Sequence, residues 1–245
     1  MVRRFEEISN NAWPALHSMQ YDGWLIRFAN GVTKRANSVN LLYPSTLDPE
    51  IKIDYCEKLF LQKKIQPTFK ITSISDPPDI DQRLERRGYV ILSTISFQML
   101  DLTGNDDEKP DEVIQSSALS EDWIDDFIRM NGFDMSRKPT YIDIMKLVAT
   151  PKCLVSVKDS DQTIAVGLGV LEGDYLGLFD IVVDPRFRQK GLGKKIVSSL
   201  LFWGKQNGAK QAYLQVLTDN SPAIRLYGKL GFREIYQYWY WVRPF

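Results

Sequence analysis

The chain has 245 residues, enough for one large domain or two of ordinary size. Hydrophobic residues make up 44% and charged residues 25%, and 31 basic side chains balance 31 acidic ones, so charge gives no reason to expect a nucleic acid or an anionic membrane as partner. Two distant cysteines and a single histidine, His17, exclude a disulfide framework and argue against a metal site, and no apolar run has the length of a signal peptide or a bilayer span, so we expect a cytoplasmic protein without a metal.

The first half predicts the element order ββαβαβ. An acidic stretch with Gly and Pro but no apolar periodicity, residues 103–112, predicts a linker that separates a domain at 1–102 from a domain at 113–245. In chain order the first domain should contain strands at 24–28 and 38–42 joined by a turn at Asn30–Gly31, a helix at 48–64, a strand at 67–74, a short helix at 79–87 and a strand at 89–102.

The second half predicts the order βααβββαβαβ. Its elements are a strand at 113–119, helices at 120–130 and 141–148, a meander of strands at 153–157, 163–171 and 175–183, a long helix at 191–207, a strand at 212–217, a helix at 221–230 and a strand at 232–242.

The two halves end in a similar layout. Residues 84–90 and 227–233 each read as a short helix closed by glycine, then an aromatic residue, then a strand. This favours two related α/β units with a reduced first copy, although helix–glycine–strand connections are common in general.

The segment at 180–196 predicts a pyrophosphate-binding loop. Pro185 ends a buried strand, and Arg188-x-x-Gly191-x-Gly193 leads directly into a helix. Glycines let backbone N–H groups face a ligand, and the first helical turn leaves several donors unpaired at the positive end of the dipole. The spacing matches neither the dinucleotide fingerprint nor the P-loop.

Two motifs together carry a family resemblance. Residues 183–193 read Val-Asp-Pro-x-x-Arg-x-x-Gly-x-Gly, and residues 220–232 read Asn-x-x-Ala-x-x-x-Tyr-x-x-x-Gly-Phe. They resemble the cofactor-binding motifs of the GNAT superfamily of N-acetyltransferases. The resemblance implies the GNAT acyl-CoA N-acyltransferase fold of the α+β or α/β class, with a mixed, mostly antiparallel central sheet flanked by helices, here duplicated with a degenerate GNAT-like first half.

The resemblance also implies the roles of individual residues. The strands that end at Val183 and Leu217 should separate to admit acyl-pantetheine, and Tyr227 should lie near the sulfur as the acid that protonates the leaving thiolate, or else simply pack the helix on the sheet. A tyrosine suits the acid role because it stays protonated at neutral pH. The residues expected to bind acetyl-CoA are Ile181, Val182, Val183, Arg188, Gln189, Lys190, Gly191, Leu192, Gly193, Lys194 and Asn220.

The general base is less evident. Several family members carry a glutamate on the strand after the long helix, but Gln215 stands at the matching position here, and a neutral amide cannot accept the proton. Asp180, on the neighbouring strand, is the nearest acidic candidate, with a structural role or deprotonation through water as alternatives.

The first half lacks the glycine loop and is expected to line the acceptor site. Trp24, Arg27, Arg35 and Asn37 are candidates for acceptor contacts, with a core or surface role as the alternative. Strand 236–242 is aromatic on both faces, which predicts burial between the halves or at a dimer seam and leaves a homodimer open.

The sequence therefore predicts an N-acetyltransferase that moves an acetyl group from acetyl-CoA to a primary amine of a small molecule, an amino acid or a protein. Two alternatives stay open. One is a non-catalytic acyl-CoA sensor on a GNAT scaffold, and the other is a longer-chain acyl donor.

Overall fold

The computed structural model describes residues 1–104 and 110–245. They form two compact units, of which unit 1 comprises residues 1–96 with 236–245, and unit 2 comprises residues 97–235. The last ten residues thus belong to unit 1, whereas the sequence predicts a second domain that extends over 113–245. The linker predicted at 103–112 falls within unit 2, and its residues 105–109 lie outside the described residues. In the described residues, no helix has the length and apolar character needed to cross a bilayer.

Unit 1 combines three helices with short strands. In chain order its elements are α1 (Val2–Ala12), β1 (His17–Tyr21), β2 (Trp24–Phe28), a 3-10 turn (Lys34–Ala36), β3 (Val39–Leu41), α2 (Pro49–Gln62), β4 (Thr68–Ile71) and α3 (Ile80–Arg86), followed by the first part of β5 (Val90–Asp101) and, from the end of the chain, the last part of β11 (Arg233–Val242).

The strands of unit 1 follow the order β1-β2-β3-β4-β11. Asp22 and Gly23, both at positive φ, form the tight turn between the antiparallel strands β1 and β2. Strand β3 pairs with β4 in parallel, and β4 pairs with β11 antiparallel. Helix α2 begins where the Asp48 side chain accepts a hydrogen bond from the Glu50 N–H and a proline occupies the first turn.

One side of unit 1 carries a buried polar layer. Helix α1 buries Glu6 together with Ser9 and Asn10. Glu6 accepts a hydrogen bond from the Lys70 ammonium at 2.5 Å and another from the Tyr236 hydroxyl at 2.8 Å. Burial of both ends of this ion pair makes it costly to break from one side.

Unit 2 contains the longer helices. In chain order its elements are the last part of β5, then β6 (Ile114–Ser116), α4 (Glu121–Asn131), a 3-10 turn (Met135–Arg137), α5 (Lys138–Leu147), β7 (Lys152–Asp159), β8 (Gln162–Glu172), β9 (Tyr175–Val183), a 3-10 turn (Pro185–Phe187), α6 (Leu192–Gln206), β10 (Gln211–Leu217), α7 (Ser221–Lys229) and the first part of β11.

The strands β10-β9-β8-β7-β6 of unit 2 follow one another in that order. Only the β9–β10 pair among them is parallel, so this is the mixed, mostly antiparallel sheet that the sequence predicts. Helix α6 packs on the sheet through Ile196, Val197 and Leu200, each fully buried in the core cluster of the unit. The amphipathic face of this helix therefore fixes where its N-terminus lies.

Candidate functional site

The central feature of unit 2 is a pair of parallel strands, β9 and β10, whose hydrogen-bonded ladder ends before either strand does. Strand β9 pairs with β10 from Tyr175 to Leu178, opposite Gln211 to Leu214, and the ladder ends there. Strand β9 nevertheless continues to Val183, and β10 continues to Leu217. Residues 179–183 therefore form no backbone ladder with β10 along the edge that faces it. The family resemblance predicts such a gap between the two strands, where the thioester would enter.

A β-bulge lies in β9 at the level of this gap. Between the pairs Leu168–Phe179 and Val166–Val182, two residues of β9 stand opposite the single residue Gly167 of β8. One of the two is Asp180, at φ +51° in the left-handed region. An extra residue shifts the alternation of side chains by one position and re-aims the strand.

The shift is visible in the core contacts. Before the bulge, Leu176 and Leu178 pack in the core cluster; after it, Ile181 and Val183 do so instead. Adding a Cβ to Gly167 would bring it within 2.8 Å of the Ile181 Cδ1 atom and 2.5 Å of the Ile196 Cγ2 atom. The bulge therefore needs a glycine opposite it. The predicted backbone contacts of residues 181–183 with the donor stay a prediction.

Asp184 anchors the loop that follows β9. It is 3% exposed, and its carboxylate accepts hydrogen bonds from the Arg186 backbone N–H at 3.0 Å and from the Arg186 guanidinium at 2.8 and 3.1 Å. Arg129 of α4 adds a bond at 3.0 Å and also donates to the Thr163 carbonyl at 2.8 Å. Hydrogen bonds, first those from Arg186, hold the pKa of Asp184 well below its ordinary range despite burial.

In the sequence, Asp184 stands out only as part of the Val-Asp-Pro motif, and Arg129 does not stand out at all. The aspartate before a proline is a visible signal for a capped turn, and Asp184 does cap the 3-10 turn Pro185–Phe187. Its arginine partner lies 55 residues earlier in the chain, and no local pattern could reveal it.

The N-terminus of α6 is open to a ligand. Gly191 precedes the helix at φ +80° and, as a glycine, has no side chain with which to cap the first turn. The N–H groups of Leu192, Gly193 and Lys194 therefore lie at the positive end of a 15-residue helix without a side-chain partner at the cap. Such a helix start binds phosphate groups well.

The two glycines of the loop have different roles. A Cβ on Gly191 would meet nothing within 4 Å, so the positive φ alone explains the residue. A Cβ on Gly193 would lie 3.0 Å from the Leu226 Cδ2 atom, so a glycine there lets α6 and α7 approach closely.

Basic side chains surround this helix start. Arg188, Lys190 and Lys194 are all exposed, and the Lys190 ammonium lies 4.9 Å from the centre of the Phe187 ring. Gln189, also exposed, adopts φ +63°. The backbone therefore turns sharply just before the helix. The three basic side chains are exposed to solvent and accessible to an anion.

Helix α7 contributes Asn220 and Tyr227. The Asn220 side-chain oxygen accepts a hydrogen bond from the Ala223 N–H at 3.3 Å and so caps the helix. Its predicted bond to the cofactor stays a prediction, for which the amide nitrogen and the second lone pair of the oxygen are available. Tyr227 is 8% exposed, its ring packs edge-on against Phe232 at 5.9 Å, and burial raises the pKa of its hydroxyl to about 12.

Two residues bear on the identity of the general base, Gln215 and Asp180. Gln215 is half-buried on β10, and Asp180, in the bulge, is partly exposed. The role of Asp180 as base stays a prediction. Across residues 1–104 and 110–245 no cluster of three His, Cys, Asp or Glu side chains could hold a metal ion.

Three of the four acceptor candidates are structural residues of unit 1. Trp24 lies in the core, 1% exposed. The Arg27 guanidinium is also buried and donates to Asn10 and to the carbonyls of Trp13 and Arg35, so burial lowers its pKa to about 10 without a carboxylate partner.

The Asn37 amide is equally committed. Its oxygen accepts from the Ala29 and Gly31 N–H groups, and its nitrogen donates to the Ala29 and Thr33 carbonyls. Together with the burial of Trp24 and Arg27, this favours the core or structural alternative for the three residues, and their acceptor contacts stay a prediction. Arg35 is partly exposed, and its acceptor contact stays a prediction.

Comparison with known proteins bears on this geometry. A family model described as "Probable histone acetyltransferase Rv0428c C-terminal" matches residues 1–241. "Uncharacterized N-acetyltransferase YobR" of Bacillus subtilis is 32% identical over 248 residues, 99% of this chain and 98% of the relative. The "[Ribosomal protein bS18]-alanine N-acetyltransferase" of Salmonella typhimurium is 35% identical over 74 residues, 30% of this chain and 50% of the relative.

Solved structures agree on the fold. A GCN5-related N-acetyltransferase from Kribbella flavida superposes with a TM-score of 0.72 at 13% identity, covering 100% of this chain and 96% of its own. A tandem GNAT protein from the clavulanic acid biosynthesis pathway gives 0.66 at 11% identity, covering 97% and 86%. The predicted GNAT fold is confirmed, and the tandem architecture of the second neighbour is consistent with duplication.

Proposed function

The chain belongs to the family described as probable histone acetyltransferase, within the GNAT superfamily of N-acetyltransferases, and on this premise we propose that it moves an acetyl group from acetyl-CoA to a primary amine by direct attack. The observation that carries the proposal is the conjunction of an uncapped α6 N-terminus with the end of the β9–β10 ladder in the same unit. The first feature suits a pyrophosphate, and the second suits an acyl-pantetheine arm.

The donor would be held mainly by backbone groups. The first-turn N–H groups of α6 would bind the pyrophosphate, with Arg188, Lys190 and Lys194 adding charge. Because the cap residue of α6 is Gly191, no side chain of its own competes with a ligand for these N–H groups. The unpaired edge of residues 179–183 would hydrogen-bond the pantetheine arm, and an N–H near Val183 would stabilise negative charge on the thioester oxygen.

Tyr227 would supply the proton for the leaving thiolate. When the amine nitrogen bonds to the carbonyl carbon, the C–S bond breaks and the sulfur takes the electron pair. A hydroxyl with a pKa of about 12 stays protonated throughout the physiological range, so it is present as a donor when the thiolate forms. Because an ordinary thiol has a pKa of about 8.5, the proton that Tyr227 gives up must be replaced by the one that the amine releases. Burial also makes the hydrogen bond to a developing anion stronger than it would be in water.

The amine must arrive at the carbonyl carbon without its extra proton. Asp180 would accept that proton directly or through water, since the bulge sets it apart from the regular alternation of β9. The similar proteins suggest which amines to test first: an alanine N-terminus of a ribosomal protein and a histone.

The first experiment measures release of free thiol from acetyl-CoA in the presence of single amines. The panel should include an alanine-terminated peptide, a lysine-bearing histone peptide, free amino acids and small polyamines. Saturable thiol release with one class of amine supports the proposal and names the acceptor. Tight binding of acetyl-CoA without thiol release from any amine would instead favour an acyl-CoA sensor, the alternative that Gln215 at a common glutamate position supports.

The second experiment tests Tyr227 with a matched control. Tyr227→Phe should lower kcat by roughly 10² to 10⁴, the usual contribution of a general acid, and leave the Kd for acetyl-CoA within about twofold. Tyr55→Phe removes a hydroxyl from an exposed ring of unit 1 and should change neither value. A Tyr227→Phe enzyme with normal kcat would refute the acid role.

Calorimetry with acyl-CoA esters of increasing chain length separates an acetyl donor from a longer one.

A further inference from the structure

A second anion-binding feature lies entirely within unit 1. A cleft of about 560 Å³ opens there beside β1, the 3-10 turn and the end of α2. Its volume falls in the range of pockets that hold small molecules. The basic and hydroxyl-bearing residues that line it are His17, Thr33, Lys34, Lys63, Lys64 and Thr68. No aspartate or glutamate side chain lines it, and its only carboxylate in the described residues is that of Phe245, the last residue of the sequence.

The three lysines have no counter-ion. Within the described ranges, Lys34, Lys63 and Lys64 form no ion pair, although the Lys63 ammonium lies 5.0 Å from the centre of the Phe28 ring and that of Lys34 lies 6.0 Å from that of Tyr240. Like charges that line one concave surface repel each other and raise the local concentration of anions. An anion entering the cleft would relieve that repulsion.

Two of these lysines are exposed and lie on a backbone turn that hydrogen bonds fix. Lys63 is the C-cap of helix α2, which ends at Gln62, and Lys64 follows at φ +55° in the left-handed region. The Lys64 N–H donates to the Leu61 carbonyl and the Ile65 N–H to the Phe60 carbonyl, which fixes the turn. Glycine would adopt this conformation without strain, so the lysine there points to a use for its side chain.

Lys63 and Lys64 have a simpler explanation than ligand binding, because cations at the C-terminus of a helix stabilise it by interacting with the helix dipole. It does not account for Lys34, which comes from a different element and is half-buried without an acidic partner. Burial lowers the pKa of Lys34, so an unpaired ammonium there carries a cost that a bound anion would remove.

We propose that this cleft binds a small oxyanionic ligand, one that presents a phosphate or carboxylate group to Lys34, Lys63 and Lys64. The Thr33 hydroxyl, which only accepts hydrogen bonds from Trp13 and Ala36, stands at the same cleft as a further donor, and Phe28, Ile65 and Val242 give it an apolar part for the rest of the ligand. The site is separate from the pyrophosphate loop, since every lining residue belongs to unit 1 and the loop belongs to unit 2.

Calorimetry on the protein with and without saturating coenzyme A tests this. Coenzyme A fills the α6 loop, and the run without it shows whether its own phosphates also occupy the cleft. Inorganic phosphate, tripolyphosphate and citrate are titrated separately at low salt. We expect one saturable site per chain for at least one of them, weakening with salt. A preference for the phosphates or for citrate tells a phosphorylated ligand from a carboxylate ligand. The Lys34→Gln/Lys63→Gln variant should bind at least roughly tenfold more weakly, since the loss of even one charge-assisted hydrogen bond, about 1.5 kcal/mol, is worth that factor.

Two controls keep the outcome interpretable. Lys58→Gln removes an exposed, unpaired lysine from the same helix outside the cleft and should leave binding unchanged. Arg188→Gln/Lys194→Gln weakens the loop of unit 2 and should also leave it unchanged. On the unmodified protein, the anion should protect Lys34, Lys63 and Lys64 from an amine-reactive label but not Lys58. Absence of saturable binding, binding equal in the double variant, or uniform labelling would overturn the proposal.

Discussion

Replacing Asp184 with asparagine tests how the phosphate loop is held. The variant keeps an oxygen that can accept from the Arg186 N–H but loses the charge that faces two guanidinium groups. Arg186 is 62% exposed, so its ion pair is screened and contributes about 0–1 kcal/mol. The bond from Arg129, which is 40% exposed, lies at the low end of the range for charged groups, about 1.5 kcal/mol.

These terms give a loss of about 2 kcal/mol in the free energy of unfolding, or roughly 4–8 °C in Tm for a chain of this size. The loop should also hold its ligand less firmly, so the KM for acetyl-CoA should rise more than kcat falls. Urea unfolding followed by fluorescence, with steady-state kinetics, measures both. Asp174→Asn is the matched control, because it breaks an exposed pair with Lys210 in the same unit and should cost little.

The sign of the pH dependence follows from the lowered pKa of Asp184. In the unfolded chain this carboxyl has an ordinary pKa near 4, about the reference value, so between the two pKa values the unfolded chain binds more protons than the folded one. The stabilisation is therefore fully present above about pH 4 and is lost as the pH falls toward the folded pKa. The stability gap between wild type and Asp184→Asn should narrow below pH 4. An unchanged urea midpoint and KM, or an equal loss in Asp174→Asn, would refute the reasoning.

Two further predictions rest on backbone conformation and buried charge. Gly191→Ala should cost about 1–2 kcal/mol because its φ of +80° strains an L-residue while no neighbour obstructs the Cβ; Gly191→Asn, which tolerates this region better, should cost less in the same thermal melts. Lys70→Met should cost about 3–5 kcal/mol because it leaves Glu6 buried without its cation, and Glu6→Gln/Lys70→Met should recover much of that loss in urea unfolding. Equal losses in the single and double variants would contradict the second prediction.

Local signals in the sequence predicted the elements of unit 2 well. The strand at 175–183 has the predicted bounds, and α6 and α7 begin within one residue of theirs, because a proline, a glycine or a capping asparagine marks each start. The end of the β9–β10 ladder also followed from the family resemblance. The bulge at Asp180 did not, because it depends on the pairing with β8, which no local pattern encodes.

The beginning of the chain was missed for a physical reason. Helix α1 turns Glu6, Ser9 and Asn10 inward, so its buried face is largely polar and its apolar periodicity is weak. Strand β1 is short and mostly exposed. Arg27 misled in the same way, since a charged residue indicates a surface or a ligand contact unless its hydrogen-bond partners, distant in sequence, are known.

The division of the chain also sets an order for biosynthesis. Strand β11 supplies the partner of β4, with Trp239 opposite Ile71, and Trp241 belongs to the core of unit 1. A ribosome that has completed residue 96 must add about 140 more before that partner exists, on the order of ten seconds at usual elongation rates. Residues 97–235 form one continuous stretch and can fold during this interval, whereas the N-terminal segment waits with one edge of β4 unpaired. A nascent chain stalled before residue 236 would thus carry an exposed strand edge that strand β11 covers once it has been synthesised.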